Sequence, residues 1–141
     1  MNTIELYQQA EAADVPVLSL DIPENKSMSI QTGRRCYIGM DYGVLEDDAT
    51  TKVHLAHELG HCMVGAFYNR WAALDVRQKH ENRADRWAIE HVIPADELAA
   101  AVADGYTDLW SLADYFGVTE PFMRKVVCLY TYGNLATELY F

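Results

Sequence analysis

A chain of 141 residues, half of them apolar, is long enough for one hydrophobic core and too apolar for a disordered segment. Eleven Lys and Arg against 21 Asp and Glu give a formal charge of −10 at pH 7, a field that argues against sequence-independent binding to DNA or to an anionic membrane. No apolar run approaches membrane-spanning length, and the start Met1-Asn2-Thr3-Ile4-Glu5 lacks the basic and apolar regions of a signal peptide, so the expectation is a cytoplasmic protein.

In chain order, residues 3–13 have helical composition with Ile4, Tyr7 and Ala10 as the inner stripe, and Pro16 forbids continuation. Residues 17–20 read as a short strand. Met28, Ile30 and Thr32 alternate, as do Cys36, Ile38 and Met40, so 27–32 and 35–40 read as a hairpin; Gly33-Arg34 between them suits a type II′ turn. After an acidic loop, a helix is expected over 48–67. Glu46, Asp47 and Asp48 suit its positive end, and Val53, Ala56, Gly60, Met63 and Phe67 make its buried stripe. Trp71, in the following connection, reads as a cap on the core rather than a cleft wall.

A second helix is expected over 78–92. Pro94, with Asp96 and Glu97 behind it, opens a third that Gly105 ends. Residues 107–116 and 119–132 complete a helical C-terminal part, 94–132, and the apolar residues 135–141 have the composition to pack on something. No repeat or linker divides residues 1–141, so a single domain is expected. The fold class is α+β: a small three-stranded, mainly antiparallel sheet over 17–40 packed against the helix at 48–67 and several more. Cys36, Cys62 and Cys128 are odd in number and scattered, which predicts core residues in a reducing compartment rather than a disulfide framework.

The chemistry is carried by His57-Glu58-Leu59-Gly60-His61. On a helix, positions four apart lie one above the other, so His57 and His61 can hold one ion between their imidazoles, with Glu58 within reach of a water on that ion. Two neutral nitrogens, a carboxylate beside them and an open coordination position are what Zn²⁺-assisted hydrolysis requires. Mn²⁺, Fe²⁺ and Co²⁺ suit the same ligand types.

A third ligand is needed. One class of zinc peptidase continues the motif with xxGxxH; Val64 and Phe67 stand at those positions, so that class is rejected. Another takes a glutamate from a second helix, and Glu81 fits. Asp85, four residues on and therefore on the same face, can accept the outer N–H of a ligand histidine and fix its tautomer. Glu58 then acts as general base. His54, Tyr68 and His80 are candidates for a second electrophile by proximity in sequence only; for His54 a helix-surface histidine is the preferred reading. The hairpin of residues 27–40 is the natural source of a strand edge for an extended peptide.

These motifs, His57-Glu58-Leu59-Gly60-His61, then Glu81-x-x-Ala84-Asp85-x-Trp87-Ala88, then Val92-Ile93-Pro94, resemble the ImmA/IrrE family of metallo-endopeptidases. Softer similarity lies in Glu11–Val17, Thr51–Ala56 and Leu112–Thr119, so the resemblance spans about residues 3–132; Trp87 stands where a phenylalanine is more usual. The resemblance implies a zincin-like fold of the gluzincin kind. It also implies a protein substrate, a helix-turn-helix repressor encoded nearby in a mobile element or stress operon.

Residues 108–130 themselves have helix-turn-helix grammar. Asp104, Asp108, Asp114 and Glu120 outnumber Arg124 and Lys125 there, so helical packing is preferred to direct nucleic-acid binding. The alternative function is a non-catalytic zinc-binding regulatory module acting by sequestering a partner. Glu58 discriminates, because a structural zinc site has no use for a base beside an open position.

Overall fold

The computed structural model describes residues 1–69 and 71–139 and has an α+β architecture. Asn2 starts α1 (Thr3–Ala12) by accepting the Glu5 N–H at 2.8 Å, an N-cap that satisfies one of the helix's orphan donors. The sheet follows as β1 (Val17–Ser19), β2 (Ser27–Thr32) and β3 (Arg35–Met40), in spatial order β1-β3-β2. β1 runs parallel to β3 with Val17 opposite Ile38. β2 is antiparallel to β3, with Ser27 opposite Met40 and Thr32 opposite Arg35. Gly33 carries the positive φ that the expected turn requires. β2 is therefore an edge, with β3 as its neighbour.

The start of β2 is pinned by Asp41. Its carboxylate accepts the Ile22 N–H at 2.8 Å and the Gly43 N–H at 3.0 Å, while its own N–H donates to the Lys26 carbonyl at 2.9 Å. Asp47 caps α2 (Asp48–Val64) by accepting the Thr50 N–H at 2.7 Å. α3 (Leu74–Val92), α4 (Ala95–Ala103), α5 (Leu109–Phe116) and α6 (Glu120–Tyr132) follow, and a 3₁₀ turn at Ala136–Leu139 closes the described chain. α2 packs on α1, the sheet and α3, so Leu6, Ile38, Met40, Leu55, Leu59 and Ile89 form the centre of the core. Phe122, Met123, Val126 and Leu129 bring α6 into it.

Several sequence expectations need correction. Ile4 is 68 % exposed and Leu6 with Ala10 faces inward, because apolar character alone does not set the phase of a short helix. On α2 the buried stripe is Leu55, Ala56, Leu59 and Gly60, and Met63 lies outside it at 39 % exposure. α2 also ends at Val64, not Phe67, since Gly65 takes a left-handed φ of 65° as its cap. α3 begins at Leu74, four residues before its expected start. Trp71, 78 % exposed, does not cap the core. Leu135 is buried, while Tyr140 and Phe141 of the apolar tail lie outside the described residues.

The cysteine expectation fails for two of the three. Cys36 and Cys62 form a disulfide between β3 and α2, their Cα atoms 5.8 Å apart. Position 62 is turned away from the side of α2 that carries His61, and the sheet packed there supplies Cys36. The cysteine argument for a reducing compartment is thereby removed. Cys128 is free, its thiol donating to the Asn134 carbonyl at 3.4 Å. No helix among the described residues is long and apolar enough to cross a membrane.

Candidate metal centre

α2 presents His57 and His61 one turn apart, and α3 must come close for Glu81 to meet them. Gly60 allows this: a Cβ built there would collide with the Ala84 carbonyl and lie 3.1 Å from the Ala84 Cα. That approach carries Glu81, one turn before Ala84 on α3, and Asp85, beside it, to the histidines. His57 Nε2 is 2.8 Å from Glu81 Oε2, His61 Nε2 is 3.2 Å from the same oxygen, and the two Nε2 atoms are 3.1 Å apart. Ligand atoms around a tetrahedral zinc with bonds of about 2.0–2.1 Å are about 3.3 Å from one another. The triangle is that face, slightly contracted, and the His57, His61 and Glu81 side chains fit a divalent ion.

Each outer atom of this triad is held. His57 Nδ1 is 2.8 Å from Asp85 Oδ1, and Lys125 of α6 donates to Asp85 Oδ2 at 3.1 Å. His61 Nδ1–H donates to the Ala66 carbonyl at 2.5 Å, an oxygen brought round by the turn at Gly65. The Tyr68 hydroxyl donates to Glu81 Oε1 at 2.8 Å. With both Nδ1 atoms engaged, the Nε2 lone pairs are the ones left to converge.

The electrostatics follow from this crowding. Burial alone would push the His57 imidazole down, but hydrogen bonds to Asp85 and Glu81 outweigh it and raise its pKa to about 10. His61 moves in the same direction, its burial outweighed by Glu81 and the Ala66 carbonyl. Burial opposes ionisation of Glu81 and Asp85, yet the histidines hold both carboxyls below their usual range. Burial and the bond to Glu81 push the Tyr68 hydroxyl up to about 12, so it stays a donor. A cation bound here would compete with a proton for His57.

Glu58 stands beside the triad and is not part of it. It is 7 % exposed, and the Ser27 hydroxyl of β2 donates to its Oε2 at 2.7 Å. His54 Nδ1 lies 2.7 Å from the same Ser27 oxygen, and burial holds that imidazole below its usual range against the opposing charge of Glu58. His54 is thus half-buried on Ser27, not a surface histidine as its sequence position suggested. His80 stacks near Tyr68, ring centroids 6.0 Å apart, and its buried Nδ1 has no hydrogen-bond partner among the described residues.

Two cavities meet at this point and share Asn25, Ser27, His57 and Glu58. One, about 360 Å³, runs past Met28 and Ser29 of β2 toward Tyr68 and Glu81. The other, about 300 Å³, runs past Val53 and His54 toward Phe122 of α6. Sequence reasoning named the five residues that meet here, His57, Glu58, His61, Glu81 and Asp85. It missed Ser27, Lys125 and the Ala66 carbonyl. The early end of α2 at a glycine was the available signal for Ala66; nothing in the local sequence marks Ser27.

Residues 10–126 match the Peptidase M78 family, described as the IrrE N-terminal-like domain. No match was found among curated proteins or among solved structures.

Proposed function

Because the chain belongs to the IrrE N-terminal-like peptidase family, we propose that it is a zinc-dependent endopeptidase that cuts a specific protein partner. The reading is carried by one observation: two Nε2 atoms and one carboxylate oxygen converge beside a second, buried carboxylate outside the triad. A resident ion alone needs only the first group. Hydrolysis needs both.

In this reading His57, His61 and Glu81 hold Zn²⁺, and Asp85 and the Ala66 carbonyl keep the imidazoles in the tautomer that offers Nε2. The ion, when bound, supplies an acidified water and an electrophile for the substrate carbonyl. Glu58 accepts the proton of the attacking water and returns it to the leaving nitrogen. The Tyr68 hydroxyl holds Glu81 by its Oε1. An extended peptide adds to the edge of β2, whose Ser27, Met28 and Ser29 line the cavity that reaches the triad. The partner proposed from the family resemblance is a helix-turn-helix repressor, whose basic surface suits a chain of charge −10.

The test is to incubate the zinc-loaded protein with the repressor encoded beside it. Fragments should form, disappear with a chelator, and be absent with Glu58→Gln, which keeps its zinc. Cleavage that persists unchanged in Glu58→Gln would remove Glu58 as the base, and repressor inactivation that persists there without fragments would overturn the mechanism in favour of a binding module.

A further inference from the structure

A carboxylate as buried as Glu58 needs donors on its oxygens, because an unpaired charge away from water is costly. The donor on Oε2 is Ser27, itself 5 % exposed. A serine hydroxyl has one hydrogen, and here it is committed to the carboxylate, which can only accept. The 2.7 Å contact between the Ser27 oxygen and His54 Nδ1 must then be carried by a hydrogen on that nitrogen. The bonds run one way: His54 Nδ1–H to Ser27, Ser27 O–H to Glu58.

We propose that Ser27, oriented by His54, is the positioning residue of the general base, engaging one oxygen of Glu58 and leaving Oε1 to take up the proton. The inference rests on Glu58 being that base and adds how it is aimed. Ser27 belongs to β2, so the base is tied to the strand whose edge lines the substrate cavity, not only to its own helix. The backbone at Ser27 is held without its side chain, by pairing with Met40 and by the bond from Asp41 N–H to the Lys26 carbonyl. Loss of the hydroxyl therefore leaves the strand in place and releases the carboxylate together with His54 Nδ1–H.

The probe is acetohydroxamic acid, which chelates zinc and offers a proton to the adjacent base; its Kd is measured by calorimetry on the zinc-loaded full chain, with zinc content determined in parallel. Ser27→Ala should keep full zinc and bind the probe roughly three- to tenfold more weakly, the size of one lost aiming bond. Ser27→Thr, which restores the hydroxyl on a residue suited to a strand, should return affinity to within about twofold. Wild-type affinity in Ser27→Ala, or zinc loss equal to its loss of affinity, overturns the proposal. So does a ¹⁵N histidine spectrum of the unmutated zinc protein showing His54 as the Nε2–H tautomer, a measurement that needs no variant to fold. Unchanged affinity in Glu58→Gln would instead remove the base assignment itself, a failure distinguishable because it appears whether or not Ser27 is altered.

Discussion

The site has two walls that begin on the same turn of α2 and are completed by different partners. The metal wall takes His57 and His61 from α2 and Glu81 from α3, and fixes their outer atoms with Asp85, the Ala66 carbonyl and Tyr68. The base wall takes Glu58 from α2 and fixes it through Ser27 of β2. The first depends on how closely two helices approach at Gly60, the second on how α2 sits on the sheet, a packing that the Cys36–Cys62 disulfide ties covalently. In the proposed mechanism ion binding and proton handling are therefore mechanically separable, and changes on one side should leave the other readable.

The largest expected effect comes from opening the metal wall. His57→Ala removes one of three ligands and leaves Glu81 and Asp85 without their shared partner, so zinc should fall to substoichiometric levels in metal analysis. Glu58→Gln should retain one zinc per chain and lose cleavage by about 10²–10⁴-fold, the range for a general base. Equal zinc loss in both variants would break the separation of the walls.

Next is the disulfide. Closing a loop with a sequence separation of 26 removes unfolded-state entropy worth about 3.5 kcal/mol in the chain-entropy account. Cys36→Ser, or reduction with a non-chelating phosphine, should lower Tm by roughly ten degrees in a calorimetric scan of the zinc-loaded protein. It should weaken acetohydroxamate binding, which reads the base wall, more than zinc affinity, which reads the metal wall. The opposite order would show that the sheet supports the ligands rather than the base.

Gly60→Ala attacks the other contact. The added methyl meets backbone, not the pliant end of a side chain, so α3 must move away from α2. Overpacking of this kind costs about 1–3 kcal/mol, and the shift falls on Glu81 and Asp85. Zinc affinity should drop about tenfold or more, measured by competition with a chromophoric chelator. Retained affinity with a lowered Tm would mean that the helices separate without opening the triad.

What was legible in the sequence divides along the same line. His57, His61, Glu81 and Asp85 could be grouped because helical spacing writes each pair on one face, and both pairs fall within a helix. β2 and β3 were readable to their observed ends because Met28, Ile30 and Ile38 alternate around a glycine turn. Ser27 was not readable, since its tie to Glu58 crosses 31 residues and depends on how α2 packs against β2. Cys36 and Cys62 failed for the same reason: scatter along the chain says nothing of the distance across a packed helix and sheet. Ile4, Met63 and Trp71 were misread because apolar character was taken for an inward phase.

The remaining expected effect is a change with pH, and its sign separates the metal-free protein from the zinc-loaded one. His57 titrates near 10 in the folded metal-free chain and at about 6.5 when unfolded, so between those values the folded state holds a proton that the unfolded state lacks. Stability of the metal-free protein is then fully favoured by this group below about 6.5 and declines as pH rises toward 10. Glu81 and Asp85, whose carboxyls are held low, lose their contribution only in acid and stay constant across that window. Zinc must displace the His57 proton, so its affinity should rise over the same range, by up to about tenfold per pH unit for one proton released. Chelator-treated protein should thus show a Tm that falls from pH 7 to 9.5 while competition titrations show tighter zinc. A metal-free Tm that rises with pH would mean that His57 is already neutral in the metal-free chain, and that Asp85 orients the ring without charging it.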